Sequence, residues 1–362
     1  MNKIRIGIIG TGFARATQIP SFLAAGAEIV SVASGRLANA EKTAQEFNIK
    51  HFTDDWRETV KRNDIDLISI VTPPNLHREM TLAAIANGKH VLCEKPMAMN
   101  AEEAREMNDV AREKGVLALI NHELRFLNGR RRAFEMIRNG EIGKIIHVKC
   151  LFRNASRGTG AVKWNWWSDL TAGGGALGAI GSHAIDAFRW FSGAEITEVF
   201  CRLKTNFKER INEAGAKRAV TSDDEANLIV RFADSDLIAD ASGTISLSVV
   251  ESGKYEHRVE IFGTLGSVIV EEGGELWISK INDSDWRRVE IDLGEAAPNV
   301  KPGGWSRGFL NFSQEIITAL QEGKNTIENA ATFADGLETQ IILDAARESD
   351  ASNCAIQIEE RK

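Results

Sequence analysis

The sequence is poor in the features that mark secreted, metal-binding, membrane-spanning and nucleic-acid-binding proteins. It has four cysteines in 362 residues, and none of them form a CxxC pair or a zinc-type cluster with the scattered histidines. No stretch approaches the roughly 18 apolar residues of a membrane span, and the amino terminus already has the pattern of a strand instead of a secretory signal. Lys and Arg total 44 against 51 for Asp and Glu, which argues against binding to nucleic-acid phosphates. We therefore expect a cytoplasmic protein with no metal, membrane or nucleic-acid partner.

The first third of the chain alternates short apolar runs with helical stretches. Strand–helix–strand repetition predicts parallel strands joined by right-handed crossovers. Nearly continuous apolar runs are typical of strands that are covered on both faces. We predict a doubly wound α/β domain over residues 1–124. The predicted strands are Lys3–Gly10, Glu28–Ala33, Asp66–Val71, His90–Cys93 and Leu117–Ile120, and the predicted helices are Ala14–Ala25, Ala38–Phe47, Leu76–Asn87 and Ala101–Lys114.

From residue 125 onward, strands follow one another with little helix between them. Consecutive strands with short turns favour an antiparallel sheet. We predict a second, α+β domain over residues 125–362, with a mostly antiparallel sheet and with C-terminal helices that pack back. The predicted strands are Lys144–Phe152, Glu195–Phe207, Ala226–Phe232, Ser235–Ser242, Glu256–Phe262, Ser267–Glu271 and Arg287–Ile291. An aromatic stripe on the first closing helix, from Trp305 to Leu320, indicates core packing.

The turn after the first strand carries Gly10-Thr11-Gly12, at the place where a dinucleotide-binding fingerprint belongs. Gly10 permits the tight turn, and Gly12 lets a pyrophosphate approach the start of the following helix. The third fingerprint position is Arg15 instead of Gly or Ala. A glycine turn with a purely structural role is therefore the alternative to nucleotide binding.

The end of the second strand selects between NAD and NADP. An NAD site usually has Asp or Glu about 20 residues after the glycines, whereas this chain has Ser34-Gly35-Arg36. Ser34 can donate a hydrogen bond to a 2′-phosphate, and Arg36 can donate a charge-assisted one. We predict NADP as the cofactor and NAD as the second choice. The alternative is that Arg36 is a solvated turn residue.

Two further loops follow neighbouring apolar strands, at the sheet edge where open α/β folds bind ligands. One contains Thr72, Pro73, Asn75 and His77, and the other is Glu94-Lys95-Pro96. A lysine ammonium has a pKa of about 10.4 in water, and burial beside a positively charged nicotinamide would lower it. Such a lysine could take the proton of an alcohol as the hydride leaves. A surface lysine, and a surface histidine at a helix start, are the alternatives.

These residues resemble the Gfo/Idh/MocA oxidoreductases, the family of glucose–fructose oxidoreductase and inositol dehydrogenase. The resemblance covers essentially the whole chain, and the order of its motifs is quite specific. The motifs are Gly10-Thr11-Gly12-Phe13, Thr72-Pro73-Pro74-Asn75 with His77, Glu94-Lys95-Pro96, Gly173-Gly174-Gly175-Ala176-Leu177, Ile180-Gly181-Ser182-His183 with Asp186, and Ile261-Phe262-Gly263-Thr264 with Gly266.

The resemblance implies a Rossmann domain followed by a large, open, mostly antiparallel sheet that supports a homodimer or homotetramer. It implies that Lys95 is the catalytic acid/base, joined to Pro96 by a cis peptide bond, and that His183 lies beside the substrate. It places Trp166 or Trp167 near the nicotinamide, although aromatic packing explains these two rings equally well. Capping or packing is likewise the alternative for His183.

The candidate site residues fall into two groups, according to the ligand that each is expected to contact. For the substrate, a sugar or polyol, they are Lys95, His183, Arg125 and Arg153, with Arg157 as a further cation. For the cofactor, they are Gly10, Thr11, Gly12, Phe13, Ser34, Gly35, Arg36, Thr72, Pro73, Asn75, His77, Glu94, Lys95, Pro96, Asn121 and Trp167.

One departure from the family pattern affects the proposed chemistry. Many of these dehydrogenases have an Asp four residues before the histidine, and this chain has Ala179 there. We predict an NADP-dependent oxidoreductase acting on a hydroxyl or keto carbon of a sugar, polyol or related compound. A non-catalytic NAD(P)-binding regulatory protein and an NAD-dependent glycosidase of the same family are the alternatives.

Overall fold

A computed structural model describes residues 3–358 of the chain. Within them the chain divides into two compact units. The first unit consists of the residues up to Leu127 together with Gly294–Leu337. The second consists of Asn128–Leu293 and the residues from Glu338 onward.

The secondary structure is given in chain order. The strands are β1 Arg5–Ile9, β2 Glu28–Ala33, β3 His51–Thr53, β4 Leu67–Ile70, β5 His90–Cys93, β6 Ala118–Ile120, β7 Ile145–Arg153, β8 Ile196–Lys204, β9 Glu209–Ile211, β10 Lys217–Ala219, β11 Glu225–Phe232, β12 Ile238–Ser248, β13 Glu256–Gly263, β14 Gly266–Val270, β15 Leu276–Lys280, β16 Arg287–Val289 and β17 Ile356–Gln357. The helices are α1 Ile19–Ala24, α2 Leu37–Phe47, α3 Trp56–Val60, α4 His77–Ala86, α5 Ala101–Lys114, α6 Asn128–Arg138, α7 Ser182–Ser192, α8 Gly304–Gln321 and α9 Phe333–Ser352.

The first unit contains a six-stranded sheet in the order β3-β2-β1-β4-β5-β6. All of its neighbouring strands are parallel, which confirms the doubly wound prediction. The strand order reverses between β1 and β4, and ligands of such sheets bind in the crevice outside the carboxyl ends at this reversal. The turns after β1, β4 and β5 therefore lie where a nucleotide would bind.

Aromatic side chains from both chain segments of the first unit form part of its core. The rings of Phe22 on α1 and Phe309 on α8 are 5.3 Å apart and perpendicular. The rings of Phe126 and Phe312 stack at 4.4 Å, and all four side chains are fully buried. The predicted aromatic stripe on α8 is therefore core packing, as the sequence indicates.

The second unit contains a nine-stranded sheet in the order β16-β15-β14-β13-β7-β12-β11-β8-β17. Only the central pair of β7 and β12 is parallel, so the prediction of a mostly antiparallel sheet is confirmed. One face packs against α7, where Gly243 leaves room for Phe188: a Cβ at this glycine would lie 2.7 Å from the ring. The sequence analysis missed β3, β15, β17, the β9–β10 hairpin and α3.

Two features of the described part of the chain bear on the function. None of the helices between residues 3 and 358 combines the length and the apolar character needed to cross a bilayer. Over the same residues, no group of three or more His, Cys, Asp or Glu side chains could hold a metal ion.

Candidate active site

The glycine turn after β1 has the geometry of a phosphate-binding turn. Gly10 has φ +102°, and a Cβ there would lie 2.3 Å from the carbonyl oxygen of Val71. No other residue type fits this position without moving the backbone after β4. Gly12 is the opposite case, since no heavy atom lies within 4 Å of an added Cβ. The open space at Gly12 fits the approach of a pyrophosphate to the backbone.

A π-helical turn, Ala14–Gln18, connects the glycine turn to α1. Arg15, the unusual third fingerprint residue, forms an exposed ion pair with Glu46 on α2. An open pocket of about 430 Å³ lies between this turn and one face of α2. It is lined by Thr11, Gly12, Arg15, Ala16, Asn39, Lys42, Thr43 and Glu46.

The turn after β2 lies beside the glycine turn. The hydroxyl oxygens of Ser34 and Thr11 are 3.5 Å apart. Gly35 and Arg36 are exposed, and Arg36 directly precedes α2. The chain thus presents a hydroxyl and a guanidinium here, at the place where an NAD site usually has a carboxylate.

His77 joins the loop after β4 to the loop after β5. Its side chain is fully buried, with Nε2 2.9 Å from the carbonyl oxygen of Thr72 and Nδ1 3.0 Å from that of Pro96. Burial lowers the pKa of His77, although both carbonyl contacts oppose this. The alternative of a surface histidine is therefore wrong, and the ring acts on the site by fixing these two loops to each other.

Lys95 lies two residues after Cys93, the last residue of β5. The Lys95–Pro96 peptide bond is cis, as the resemblance implies. The Lys95 side chain is 19% exposed, and its Nζ lies 3.9 Å from Oε2 of Glu94. The alternative of a solvated surface lysine does not fit this degree of burial.

Glu94 accepts hydrogen bonds from side chains of two other parts of the first unit, and a third side chain anchors one of them. Its Oε1 accepts hydrogen bonds from Gln18 Nε2 at 2.8 Å and from Asn121 Nδ2 at 2.7 Å. Ser69 Oγ in turn donates to Gln18 Oε1 at 2.7 Å. Burial raises the pKa of the Glu94 carboxyl, whereas Lys95 and the two amides act in the opposite direction.

In the second unit, His183 lies in the first turn of α7 and is 3% exposed. A second π-helical turn, Leu177–Gly181, precedes the helix and contains the buried Ala179. Asp223 lies against the glycine-rich segment before this turn, and its Oδ2 accepts the Leu177 N–H at 2.7 Å. Burial raises the pKa of Asp223 to about 6.

Two of the arginines proposed to contact substrate are engaged in ion pairs. Arg125 lies in the first unit, where its Nη2 is 3.3 Å from Asp335 Oδ1 and its side chain is 5% exposed. Arg153 on β7 lies 2.6 Å from the Glu256 carboxylate on β13.

Arg157 and the two tryptophans form a separate cluster in the second unit. Arg157 Nη2 donates to Ser168 Oγ at 2.7 Å, and its Cζ is 5.7 Å from the Trp167 ring centroid. Burial lowers the pKa of Arg157 to about 10. The rings of Trp166 and Trp167 are 5.7 Å apart.

The structure therefore brings together, within the first unit, the candidates from the glycine turn, the turn after β2, the loops after β4 and β5, and Asn121. His183, Trp167 and Arg153 belong to the second unit. The sequence analysis missed Gln18, Ser69 and Asp223. These three polar residues lie in otherwise apolar or turn segments and belong to no motif that would have marked them.

The comparisons with known proteins agree with this fold. Residues 4–122 match the model of an oxidoreductase family with an NAD-binding Rossmann fold, and residues 130–269 match the GFO/IDH/MocA C-terminal domain. Together these matches span more than half of the chain. The chain belongs to the GFO/IDH/MocA family of NAD-binding oxidoreductases.

Individual relatives narrow the comparison. An uncharacterized oxidoreductase of Synechocystis sp. is 30% identical over 74% of this chain and 71% of its own length. Levoglucosan dehydrogenase of Pseudarthrobacter phenanthrenivorans is 28% identical over 99% of both chains. A structure of levoglucosan dehydrogenase in complex with NADH and L-sorbose has a TM-score of 0.87, with 27% identity and full coverage of both chains.

Proposed function

We propose that this protein is an NAD(P)-dependent dehydrogenase that acts on a hydroxyl-bearing carbon of a sugar or polyol. The observation that carries the proposal is the position of Lys95, whose largely buried side chain follows β5 at the carboxyl edge of the sheet. The similarity to a dehydrogenase in complex with NADH and L-sorbose supports the substrate class. The open backbone at Gly12 supports nucleotide binding.

The chemistry requires one hydride acceptor and one proton acceptor. When bound, the nicotinamide supplies the hydride acceptor. Lys95, as the neutral amine, takes the hydroxyl proton while the carbinol C–H bond breaks, so the alcohol becomes a ketone or aldehyde and Lys95 becomes an ammonium. The Glu94 carboxylate, 3.9 Å away, then stabilises that ammonium. In the reverse direction Lys95 returns the proton to the carbonyl oxygen. We propose His183 as a second catalytic residue, which assists Lys95.

A Lys95→Met variant tests the proposal. We expect kcat to fall at least about a hundredfold, because general acid–base catalysis contributes that much or more. The dissociation constants for NADPH and NADH, measured by fluorescence titration, should change less than about twofold. A change of about 1.4 kcal/mol in the binding free energy would alter them tenfold. Turnover would be measured with levoglucosan, L-sorbose and a panel of polyols and sugar acids.

The matched control is Lys50→Met, which removes an exposed lysine next to β3 and should leave kcat unchanged. Normal turnover in Lys95→Met would remove Lys95 from the mechanism. Nucleotide binding without oxidation or reduction of any compound in the panel would instead favour the regulatory alternative.

We also propose that NADP is preferred to NAD. The support is the Ser34-Gly35-Arg36 turn, which has no carboxylate to repel a 2′-phosphate, and the hydroxyl contact that places Ser34 beside Thr11. Lys42 adds a second cation to the wall of the neighbouring pocket.

The assembly and the compartment are further proposals. We propose a homodimer or homotetramer that forms through the nine-stranded sheet, since the outward face of this sheet carries partly exposed apolar side chains such as Ile229. We propose a reducing cytoplasm, since all four cysteines are in the thiol form and three are buried.

A further inference from the structure

A chain of three buried side chains leads to Lys95 from inside the first unit. Ser69 donates to Gln18, and Gln18 donates to Glu94, over oxygen–oxygen and nitrogen–oxygen distances of 2.7 and 2.8 Å. Ser69 and Gln18 are fully buried, and Glu94 is 8% exposed. Gln18 ends the π-helical turn that follows the glycine turn, and such turns are frequent at functional sites. Neither Gln18 nor Ser69 takes part in the mechanism described above.

The hydrogen bonds in this chain have one consistent direction. An ionised Glu94 can only accept, so Gln18 must turn its amide N–H groups toward the carboxylate. Its carbonyl oxygen is then left for the hydroxyl of Ser69, which donates. Hydrogen bonds to a carboxylate favour the ionised form and oppose the effect of burial. Ser69 therefore fixes the amide orientation in which Gln18 favours the ionised form of Glu94.

Asn121 supplies a second donor to the same carboxylate oxygen. Its Nδ2 lies 2.7 Å from Glu94 Oε1. Its Oδ1 is buried and has no hydrogen-bond partner among residues 3–358, which is rare for a buried acceptor. The Asn121 amide is thus oriented so that its N–H donates to Glu94, while its own carbonyl oxygen accepts no hydrogen bond from the described residues. Because both amides bind Oε1, the other oxygen, Oε2, is left to face Lys95 Nζ.

We propose that Gln18 is a positioning residue for Lys95: anchored by Ser69, its amide holds Glu94 ionised, with one carboxylate oxygen turned toward the Lys95 ammonium. The catalytic part of this inference rests on the proposed role of Lys95. The link between Gln18 and the charge of Glu94 does not depend on turnover.

The other titratable groups around Glu94 leave its charge under the control of these amides and Lys95. Cys93 precedes it on β5, and burial raises the pKa of that thiol. His77 contacts Pro96, and burial lowers the pKa of its ring. The Cys93 thiol is therefore uncharged near pH 7. His122 and Glu123, which follow Asn121 in the chain, are buried as well.

The charge of Glu94 can be measured directly in the protein without ligands. Infrared difference spectra against Glu94→Gln isolate the Glu94 carboxyl band, and its pH titration gives the protonation midpoint. In Gln18→Leu we expect the midpoint to rise by about one pH unit. The variant loses a hydrogen bond to the ionised carboxylate, and such a loss raises the proton affinity of the carboxylate by at least about tenfold. Ser69→Ala should raise it by a smaller amount, because the amide loses its anchor but keeps its N–H.

The matched control is Gln45→Leu, the same change at an exposed position on α2, which should leave the midpoint unaltered. Gln18→His restores an N–H donor and should return the midpoint part of the way. The proposal would be overturned if the midpoints of Gln18→Leu and Ser69→Ala both lay within about 0.3 pH unit of the midpoint of the unaltered protein. Such a shift is smaller than the loss of a hydrogen bond to a charged group would cause. Ser69→Ala alone decides it if Gln18→Leu does not fold.

The kinetic readout separates positioning from a general loss of structure. With a substrate from the panel, Gln18→Leu should move the acid limb of the kcat profile upward by about one pH unit, together with the infrared midpoint, and so lower kcat about tenfold at pH values on the acid side of that limb. The KM for the nucleotide should stay within about twofold. A lower kcat with an unmoved pH profile would also overturn the proposal. A shifted midpoint together with normal turnover in Lys95→Met would leave the Gln18–Glu94 link in place and reject the proposed catalytic role of Lys95. A shifted midpoint with no turnover of any compound in the panel by the unaltered protein would leave the link in place and reject the proposed function.

Discussion

At the scale of single residues, the proposed preference for NADP rests on the side chains that follow β2. Ser34 lies within 3.5 Å of Thr11, and Arg36 is exposed at the start of α2. A guanidinium binds a phosphate through charge-assisted hydrogen bonds, and a carboxylate at this turn would repel it. The relative in complex with NADH makes a direct measurement of the preference necessary.

We expect Arg36→Ala to reduce the preference for NADP over NAD about tenfold, because a hydrogen bond to a charged group contributes about 1.5–3 kcal/mol. Isothermal titration with NADP and NAD gives the ratio of the two dissociation constants. Arg105→Ala, at an exposed position on α5, is the control and should leave the ratio unchanged. Equal affinities for both nucleotides in the unaltered protein would contradict the prediction.

The residues that could be predicted from the sequence are those whose role depends on local geometry. The sequence predicts a tight turn at Gly10. The structure explains the need for glycine there, because a Cβ at this position would lie 2.3 Å from the carbonyl oxygen of Val71. Gln18 and Ser69 could not be identified, because their hydrogen bond joins side chains 51 positions apart. A lone polar residue in an apolar strand or helix gives no indication of which distant group it faces.

At the scale of elements, the segment that leads into α7 depends on one buried carboxyl. Asp223 accepts the Leu177 N–H at 2.7 Å, and a Cβ at Gly175, where φ is +117°, would lie 2.3 Å from Asp223 Oδ1. The glycine therefore allows the carboxyl to lie against the turn that carries His183 into its helix.

The pH dependence of stability tests this arrangement. Burial raises the pKa of Asp223 from 3.8 to about 6, so between these values the folded protein holds a proton that the unfolded chain has lost. The free energy of unfolding therefore falls as pH rises from about 4 to about 6, by an amount on the order of 3 kcal/mol. Asp223→Asn keeps an acceptor for Leu177 and should remove this fall.

Urea unfolding at a series of pH values measures the effect. The control is Asp54→Asn, at an exposed position next to α3, which should retain the slope of the unaltered protein. An equal slope in Asp223→Asn would mean that Asp223 does not titrate in this range.

Elements with strong local signals were predicted more closely than those without. The bounds of α5 agree, because Asn100 accepts the Glu103 N–H at 2.9 Å and Gly115 ends the helix with φ +62°. The strand β15 was missed because it is short and its neighbours in the chain are polar. It is stabilised by pairing with β14 and β16, which a linear pattern does not reveal.

At the scale of the whole molecule, the nine-stranded sheet is the surface through which we propose that the protein self-associates. Pairing places Phe200, Ile229 and Thr244 side by side in one row, which continues through Lys149 on β7. The opposite face of the same strands is buried. Ile229 is 55% exposed, and exposed apolar side chains on a broad sheet are typical of an interface between protein chains.

We expect Ile229→Lys to raise the dissociation constant of the assembly at least about a hundredfold, because an unpaired buried ammonium costs several kcal/mol. Sedimentation equilibrium of the two proteins measures this. Ile281→Lys, at a turn residue that is 67% exposed, is the matched control and should not alter the mass in solution. A monomer in the unaltered protein would contradict the proposed assembly.

The helix α8 also constrains how the chain can be made and divided. Its rings Phe309 and Phe312 complete the core around Phe22 and Phe126, although the strands β7 to β16 are synthesised between Phe126 and Phe309. During translation, the first unit is therefore begun early and completed late. The β1–β6 segment has an incomplete core until α8 has been synthesised. An isolated N-terminal fragment would expose those aromatic surfaces to water, so a minimal nucleotide-binding version of this protein has to be spliced from two separate stretches of the gene.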